Sequence, residues 1–416
     1  MKERVVITGL GGVSPIGNEI STIWDSIKNA KSGIGHITHF DTKDHTTKLA
    51  AEVKNLNTEL YITRQEARKL DLFVQYAIVA SKKAAKHADL ENLSENRRIN
   101  LNRVGVIIGS GIGGLETLAN NTLNLVNKGP ERVSPHFIPM SLVNLAAGNV
   151  AIAIGAGAVC TSIVTACAAA TDSIGQAFRE ISEGRADIIF AGGAEAAITP
   201  LGIAGFSVMK ATTSSTDPER ASIPFDKERN GFVMGEGAGV LVLESLKSAV
   251  LRGATIYGEI IGYGTSCDAH HITAPMPGGA GASRAMSLAL ENAGISASDI
   301  DYINAHGTST PLNDATETAA VKTTFGEHAY KLAISSTKSM TGHLLGASGA
   351  IEAIITVKAL EQSFIPPTIG YRETDLDCDL DIVPNKGRSS NIKYAMSNSF
   401  GFGGHNASII FKKWED

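Results

Sequence analysis

The chain has 416 residues, 43% hydrophobic and 19% charged, a length that fits two to three domains or one large fold in two halves. Its 43 glycines, about one residue in ten, describe a loop-rich globular protein and exclude a disordered or fibrous one. With 37 basic against 42 acidic residues the net charge is −5, so no overall basic field exists to hold nucleic acid.

From the N-terminus, the charged Lys2, Glu3 and Arg4 lead directly into Val5, Val6 and Ile7. This is a strand start without the longer apolar region of a secretory leader, and it predicts a cytoplasmic, reducing location. Short apolar runs bounded by glycine at 104–109, 187–192 and 237–243 read as buried strands. Residues 133–171 carry no Asp, Glu, Lys or Arg. Recurrent Ser, Asn, His and Gly make that stretch too polar for a membrane span, so buried core or a subunit interface is expected. Ile174, Phe178 and Ile181 fall at i, i+4 and i+7 ahead of Gly184, which predicts a helix over 168–183. The plan restarts near Ile256, with strands expected at 259–263, 301–304, 332–335 and 394–396 and a helix at 350–360. No short repeat or Pro/Ser-rich linker appears. The reading is an α/β fold layered α-β-α-β-α, its halves 1–255 and 256–416 packed together with the chemistry where they meet.

Four segments could carry that chemistry. Cys167, in Val164-Thr165-Ala166-Cys167-Ala168, sits where a loop becomes a helix. A helix N-terminus favours a thiolate, and its free N–H groups can receive an oxyanion. The competing reading is an inert buried cysteine. Cys160, Cys267 and Cys378 lack such a setting and read as structural; with no CxxC pair, zinc centres and disulfides are not expected. His306 ends a strand in Asn304-Ala305-His306-Gly307-Thr308-Ser309-Thr310, where α/β sheets present ligands. Thr308 and Thr310 would line one side of a channel if the segment is extended. Lys338 and His343 lie five residues apart in a Ser/Thr/Gly loop, a charge able to tune an imidazole, although a solvated lysine is the default. Residues 398–406 form a glycine-rich turn that permits close backbone approach to a ligand. No GxxxxGK[ST] occurs, and Gly9-Leu10-Gly11-Gly12-Val13-Ser14 lacks the last glycine of a dinucleotide fingerprint, so nucleotide binding is a weak alternative. One cysteine, two histidines and a lysine on small-residue loops fit thioester chemistry.

These motifs, taken in order along nearly the whole chain, resemble those of the elongating, Cys-His-His β-ketoacyl-[acyl-carrier-protein] synthases, most like synthase II. The resemblance rests on Val5-Val6-Ile7-Thr8-Gly9, Thr165-Ala166-Cys167, Ala191-Gly192-Gly193-Ala194-Glu195, Pro224-Phe225-Asp226-Lys227-Glu228-Arg229, the His306 and His343 segments and Asn398-Ser399-Phe400-Gly401-Phe402-Gly403-Gly404. It implies a thiolase-like fold with two pseudo-duplicated halves, a homodimer, acyl carrier protein as partner, and a decarboxylative Claisen condensation that elongates fatty acids. No cofactor is implied beyond the phosphopantetheine on the carrier. The resemblance makes Cys167 the acyl-accepting nucleophile, His306 and His343 the pair that binds the malonyl thioester carbonyl, and Lys338 the electrostatic support of His343, with Asp314 and Glu317 near it. The oxyanion hole would be the N–H groups of Cys167 and Phe402, and Phe402 the gate. Thr308 and Thr310 match pantetheine-binding threonines, Ile112 and Phe400 substrate-binding positions, and Phe137 and Ile138 residues reaching the acyl pocket from the other subunit. Ile112 implies acceptance of long chains. Asn304 and Glu352 match positions around a monovalent cation in some members. Arg64, Arg68 and Lys69 would dock the acidic carrier, with Gln65 where a lysine is common. His405 stands where the family has Thr, and Gly12 where Met is common.

Alternatives separate by residue. A degradative thiolase needs a second cysteine in a C-terminal glycine motif, a priming synthase carries Asn at the position of His343, and a chain-length factor lacks the nucleophile. A polyketide ketosynthase shares every motif; a single short chain favours fatty-acid synthesis. A lipid-binding protein without turnover would tolerate loss of Cys167.

Overall fold

The computed structural model describes residues 2–91, 93 and 99–415. Its main sheet has ten strands. The first half contributes β1 (Val5–Val13), β2 (Val104–Gly109), β3 (Cys160–Thr161), β4 (Ile188–Glu195) and β5 (Gly237–Ser245). The second contributes β6 (Gly258–Cys267), β7 (Tyr302–Asn304), β8 (Ala333–Ser335), β9 (Tyr394–Gly401) and β10 (His405–Lys412). The order β8-β7-β9-β10-β6-β1-β5-β4-β2-β3 shows the duplication directly. Outward from the β1–β6 junction, each half runs through its first, fifth, fourth, second and third strands. Parallel and antiparallel pairings match as well: β2 with β3 and β4, and β7 with β8 and β9, are parallel, and the rest antiparallel. The halves join through three residue pairs, Val5 with Ile260, Val6 with Glu259 and Ile7 with Gly258.

Five layers follow from which helices touch which strands. Helix α1 (Leu72–His87) lies on β1, β4 and β5 and against α2 (Leu145–Ile154) as one outer layer. Helices α3 (Ala169–Ser182) and α6 (Ser348–Gln362) touch strands of both halves and each other, forming the middle layer. Helix α4 (Ala280–Ala293), packed on β6 and β10 and against α5 (Pro311–Phe325), is the other outer layer. A helix between two sheets must be apolar or small on every side. Accordingly α6 buries Ala350, Ile351, Ala353, Ile354, Ile355, Val357, Ala359 and Leu360 around its whole circumference. The middle helices cross so closely at Gly349 that a Cβ there would stand 2.1 Å from Thr171 Oγ1, so only glycine fits.

The helix expected over 168–183 forms over Ala169–Ser182, and the strand expected at 394–396 continues to Gly401 because the glycine-rich segment closes a hairpin. The uncharged stretch 133–171 is core only in part. Ala146, Ala147 and Val150 are buried, whereas Ile138, Leu142, Ile152 and Val164 are exposed in the single chain. Among the described residues no helix is long and apolar enough to cross a membrane.

Candidate active site

Cys167 lies in a short 3-10 turn, Ala166–Ala168, that feeds α3. The residue before it, Ala166, holds a left-handed φ of 50°, a conformation that needs support from its surroundings. Thr165 Oγ1 supplies some by donating to Asp172 Oδ2 at 2.6 Å, and Tyr263 of the second half donates to the other oxygen, also at 2.6 Å. On the far side the hairpin turn Phe402-Gly403-Gly404 approaches, its glycines at φ 84° and 76°. The N–H groups of Phe402 and of Cys167 both act on the sulfur.

Around this thiol lies a cavity of about 380 Å³. Its walls include Cys167, His306, His343, Thr308, Thr310, Phe400 and Phe402, so residues from distant segments of both halves converge there. The two imidazoles meet edge to face, with ring centroids 5.2 Å apart. His343 Nδ1 sits 2.8 Å from Ser348 Oγ, which leaves Nε2 as the nitrogen for a ligand. His306 is fixed through its backbone: its N–H and that of Gly307 donate to the two oxygens of Glu317 at 2.9 and 2.7 Å. Its Nδ1 is buried without a partner among the described residues.

Burial and the Lys338 charge hold both imidazoles well below their ordinary pKa, His306 also feeling His343, so both are neutral at physiological pH. The helix-start reading of Cys167 needs correction. Burial pushes the thiol up to about 12, overriding the pull of Lys338 and of the two N–H groups. The resting sulfur is therefore protonated, and neutral imidazoles in the same cavity are the available proton acceptors.

Lys338 is fully buried and ion-paired with Glu352, itself buried. Asp314 and Glu317 are not its direct partners. Asp314 accepts from the Phe225 N–H at 2.9 Å and pairs with Arg229, and Glu317 clamps His306. Thr308 and Thr310 do face the cavity and share a 2.9 Å hydrogen bond between hydroxyls, but Ser309 between them has φ 70°, so the segment is kinked and not extended.

Ile112 packs in one cluster with Cys167, Phe206 and Leu345. Phe137 and Ile138 begin a short helix, Phe137–Ser141, and do not line the cavity of their own chain. Asn304 Nδ2 lies 3.4 Å from the Glu352 carbonyl, so these two residues are neighbours. Arg64, Arg68 and Lys69 are exposed and away from the cavity walls, and Arg64 is already paired with Glu59 at 2.6 Å. Cys160 and Cys267 are exposed, Cys378 is buried, and all four thiols are free.

Sequence reasoning missed Phe206, Phe232 and Ser348. Phe232 meets the His343 ring edge at 5.3 Å, and Phe206 faces Phe402 at 6.3 Å. Apolar rings, Phe206 on a helix and Phe232 in an isolated bridge with Thr212, carry no chemical signal. Ser348, five residues after His343 at the start of α6, could have been found as a nearby hydroxyl.

Two family models match in chain order: "Beta-ketoacyl synthase, N-terminal domain" over residues 2–249 and "Beta-ketoacyl synthase, C-terminal domain" over 257–372. The chain is 53% identical over 413 residues to 3-oxoacyl-[acyl-carrier-protein] synthase 2 of Staphylococcus aureus (strain COL), covering 99% of both. Among solved structures, a beta-ketoacyl synthase from Burkholderia phymatum STM815 superposes with TM-score 0.92 at 34% identity, covering 99% of this chain and 100% of that one. A type II PKS ketosynthase in complex with its acyl-carrier protein gives 0.91 at 35% identity, covering 100% of both chains. A thiol, two imidazoles and a buried lysine gathered on a duplicated α/β scaffold, with both domain models in order, place the chain in the beta-ketoacyl synthase family.

Proposed function

We propose that the chain is a 3-oxoacyl-[acyl-carrier-protein] synthase of type II, which condenses acyl and malonyl carrier thioesters in fatty-acid elongation. The observation that carries this reading is the convergence of Cys167, His306 and His343 in one cavity whose walls also hold the Thr308–Thr310 hydroxyl pair. Cys167 gives up its proton and attacks the acyl thioester carbonyl. The N–H groups of Cys167 and Phe402 receive the negative oxygen, and the carrier thiol leaves with a proton. Malonyl thioester then enters with its carbonyl oxygen against His306 and His343. Loss of CO2 leaves an enolate whose carbon attacks the acyl-Cys167 carbonyl, forming the C–C bond and expelling the Cys167 thiolate, which takes up a proton from solvent to restore the resting thiol. Neutral imidazoles donate to that oxygen without quenching the enolate carbon. Phe402, on a turn with two left-handed glycines, is the gate to the acyl pocket behind Ile112 and Phe206. Thr308 and Thr310 hold the pantetheine amides, and Phe400 packs beside His306.

A second copy of the chain would cover Ile138, Leu142, Ile152 and Val164, and β3, last in the sheet order, presents an edge for it to meet. In that homodimer Phe137 and Ile138 reach the partner's acyl pocket. Arg68 and Lys69, exposed and without an ion pair among the described residues, offer the carrier a basic surface that sets association rate. Four free thiols favour a cytoplasmic, reducing setting. Glu352 Oε2, buried without a hydrogen-bond partner among the described residues, fits a monovalent cation held together with Asn304.

Intact-mass analysis tests the roles. With acyl carrier thioester the enzyme gains one acyl mass, which malonyl carrier protein discharges as a two-carbon-longer 3-oxoacyl carrier. Cys167→Ala forms no adduct, and His343→Ala forms it without discharging it. Condensation by both variants would overturn the assignment.

A further inference from the structure

Glu195, at the end of β4, is fully buried, and among the described residues no cation pairs with its carboxylate. Four donors hold it. Oε1 accepts from Ser110 Oγ at 2.8 Å and the Ile112 N–H at 3.2 Å, and Oε2 from the Gly111 N–H at 2.7 Å and the Gly346 N–H at 3.0 Å. Three of these donors follow β2 in the first half, and the fourth comes from the second half immediately before α6. The junction has no slack: a Cβ on Gly346 would stand 2.2 Å from the Gly111 nitrogen, and one on Gly111 2.9 Å from Glu195 Oε2.

Each end of the clamp carries a residue that packs in the Cys167 cluster, and Leu345 also lines the cavity. Ile112 is itself a donor, and Leu345, next to Gly346, is held at a left-handed φ of 50°, a conformation that persists only when neighbours enforce it. Ile112 and Leu345 pack in the same cluster as Cys167. We infer that Glu195 is a positioning residue for the condensation, tying Ile112 and Leu345 together across the junction of the halves and thereby setting which acyl chains fit beside Cys167. The same negative charge acts on Cys167 and favours its protonated form. This inference rests on the function proposed above.

Glu195→Gln tests it. A carboxamide presents one oxygen and one NH2 to four donors, so at least one donor loses its tie. Circular dichroism establishes that the variant is folded; kcat/KM is then compared for medium-chain and long-chain acyl carrier thioesters, wild type alongside. The expected result is a fall of about tenfold in the long-to-medium ratio. Ser110→Ala, which removes one donor and no charge, moves the ratio the same way by about two- to threefold. Alkylation of Cys167 by iodoacetamide, followed against pH, begins about one unit lower in Glu195→Gln and not in Ser110→Ala, which separates loss of the charge from loss of a tie. Unchanged ratios in folded variants overturn the inference, and if Glu195→Gln fails to fold, an unchanged ratio in Ser110→Ala does so. A wild-type protein that never condenses refutes the proposed function instead, and the long-to-medium ratio of acyl loading on Cys167, read by intact mass, then decides the role of Glu195.

Discussion

Replacing Lys338 by Met separates two effects of one charge. Lys338 and Glu352 are 1% and 2% exposed and pair with each other. Removing the ammonium leaves the Glu352 carboxylate buried without its ion-pair partner, at a cost of about 3–5 kcal/mol. For 416 residues at about 2.1 cal/mol/K per residue, the unfolding entropy is about 0.9 kcal/mol/K, so Tm falls by about 3–6 °C. The deficit depends on pH. Glu352 is already raised by burial and restrained by Lys338; without Lys338 its folded pKa rises further above the unfolded value. A raised carboxyl costs nothing below its unfolded pKa and costs progressively more as pH climbs toward the folded one. Scanning fluorimetry should therefore show a small gap between variant and wild type near pH 5 and a large one near pH 8. Glu352→Gln added to Lys338→Met should recover most of the loss. In catalysis, the same substitution removes a charge that lowers His306 and His343. Both imidazoles move toward their ordinary range, and the acid limb of malonyl carrier decarboxylation shifts upward by about one pH unit. An unmoved acid limb, or a Tm gap independent of pH, would refute the reasoning.

Ile112→Phe adds a ring to the Cys167, Phe206 and Leu345 cluster and should lower kcat/KM for long acyl chains by about 10–200-fold while sparing short ones; an unchanged acyl profile sinks the pocket assignment. Glu236, held up to about 7 by burial and by Glu52 against His39, Val53 N–H and Tyr76, is a raised acid, so its stability contribution is present below about pH 4.5 and is lost as pH rises through about 7. Glu236→Gln cannot ionise and should gain on wild type as pH rises, read as a Tm difference that opens between pH 5 and 8; a constant difference rejects the assignment.

The strands were legible in the sequence because glycine-bounded apolar runs such as 104–109 and 187–192 match the walls of a sheet buried on both faces. The site was legible through residue types that have few idle uses: Cys167 at a helix start, His306 at a strand end, His343 beside glycine. What stayed hidden were relations between distant segments. Lys338 and Glu352 are fourteen residues apart, and nothing in either segment says that they pair. Glu317 reads as an ordinary helical acid until its oxygens are seen on the His306 and Gly307 N–H groups. The Cys167 thiol was misjudged because a helix start is local and visible in sequence, whereas desolvation is the sum of everything packed around the sulfur.

Asp172 grips Thr165, two residues before the nucleophile, and Tyr263, a strand residue of the other half. The seam of the duplication thus acts as a caliper for the reaction, because a slip between the halves is transmitted to the turn that aims the sulfur. Heat or solvent that loosens this seam would extinguish turnover while most of the chain remains folded. Rate, more than melting temperature, would then register substitutions in the middle layer, including side chains that never meet a substrate.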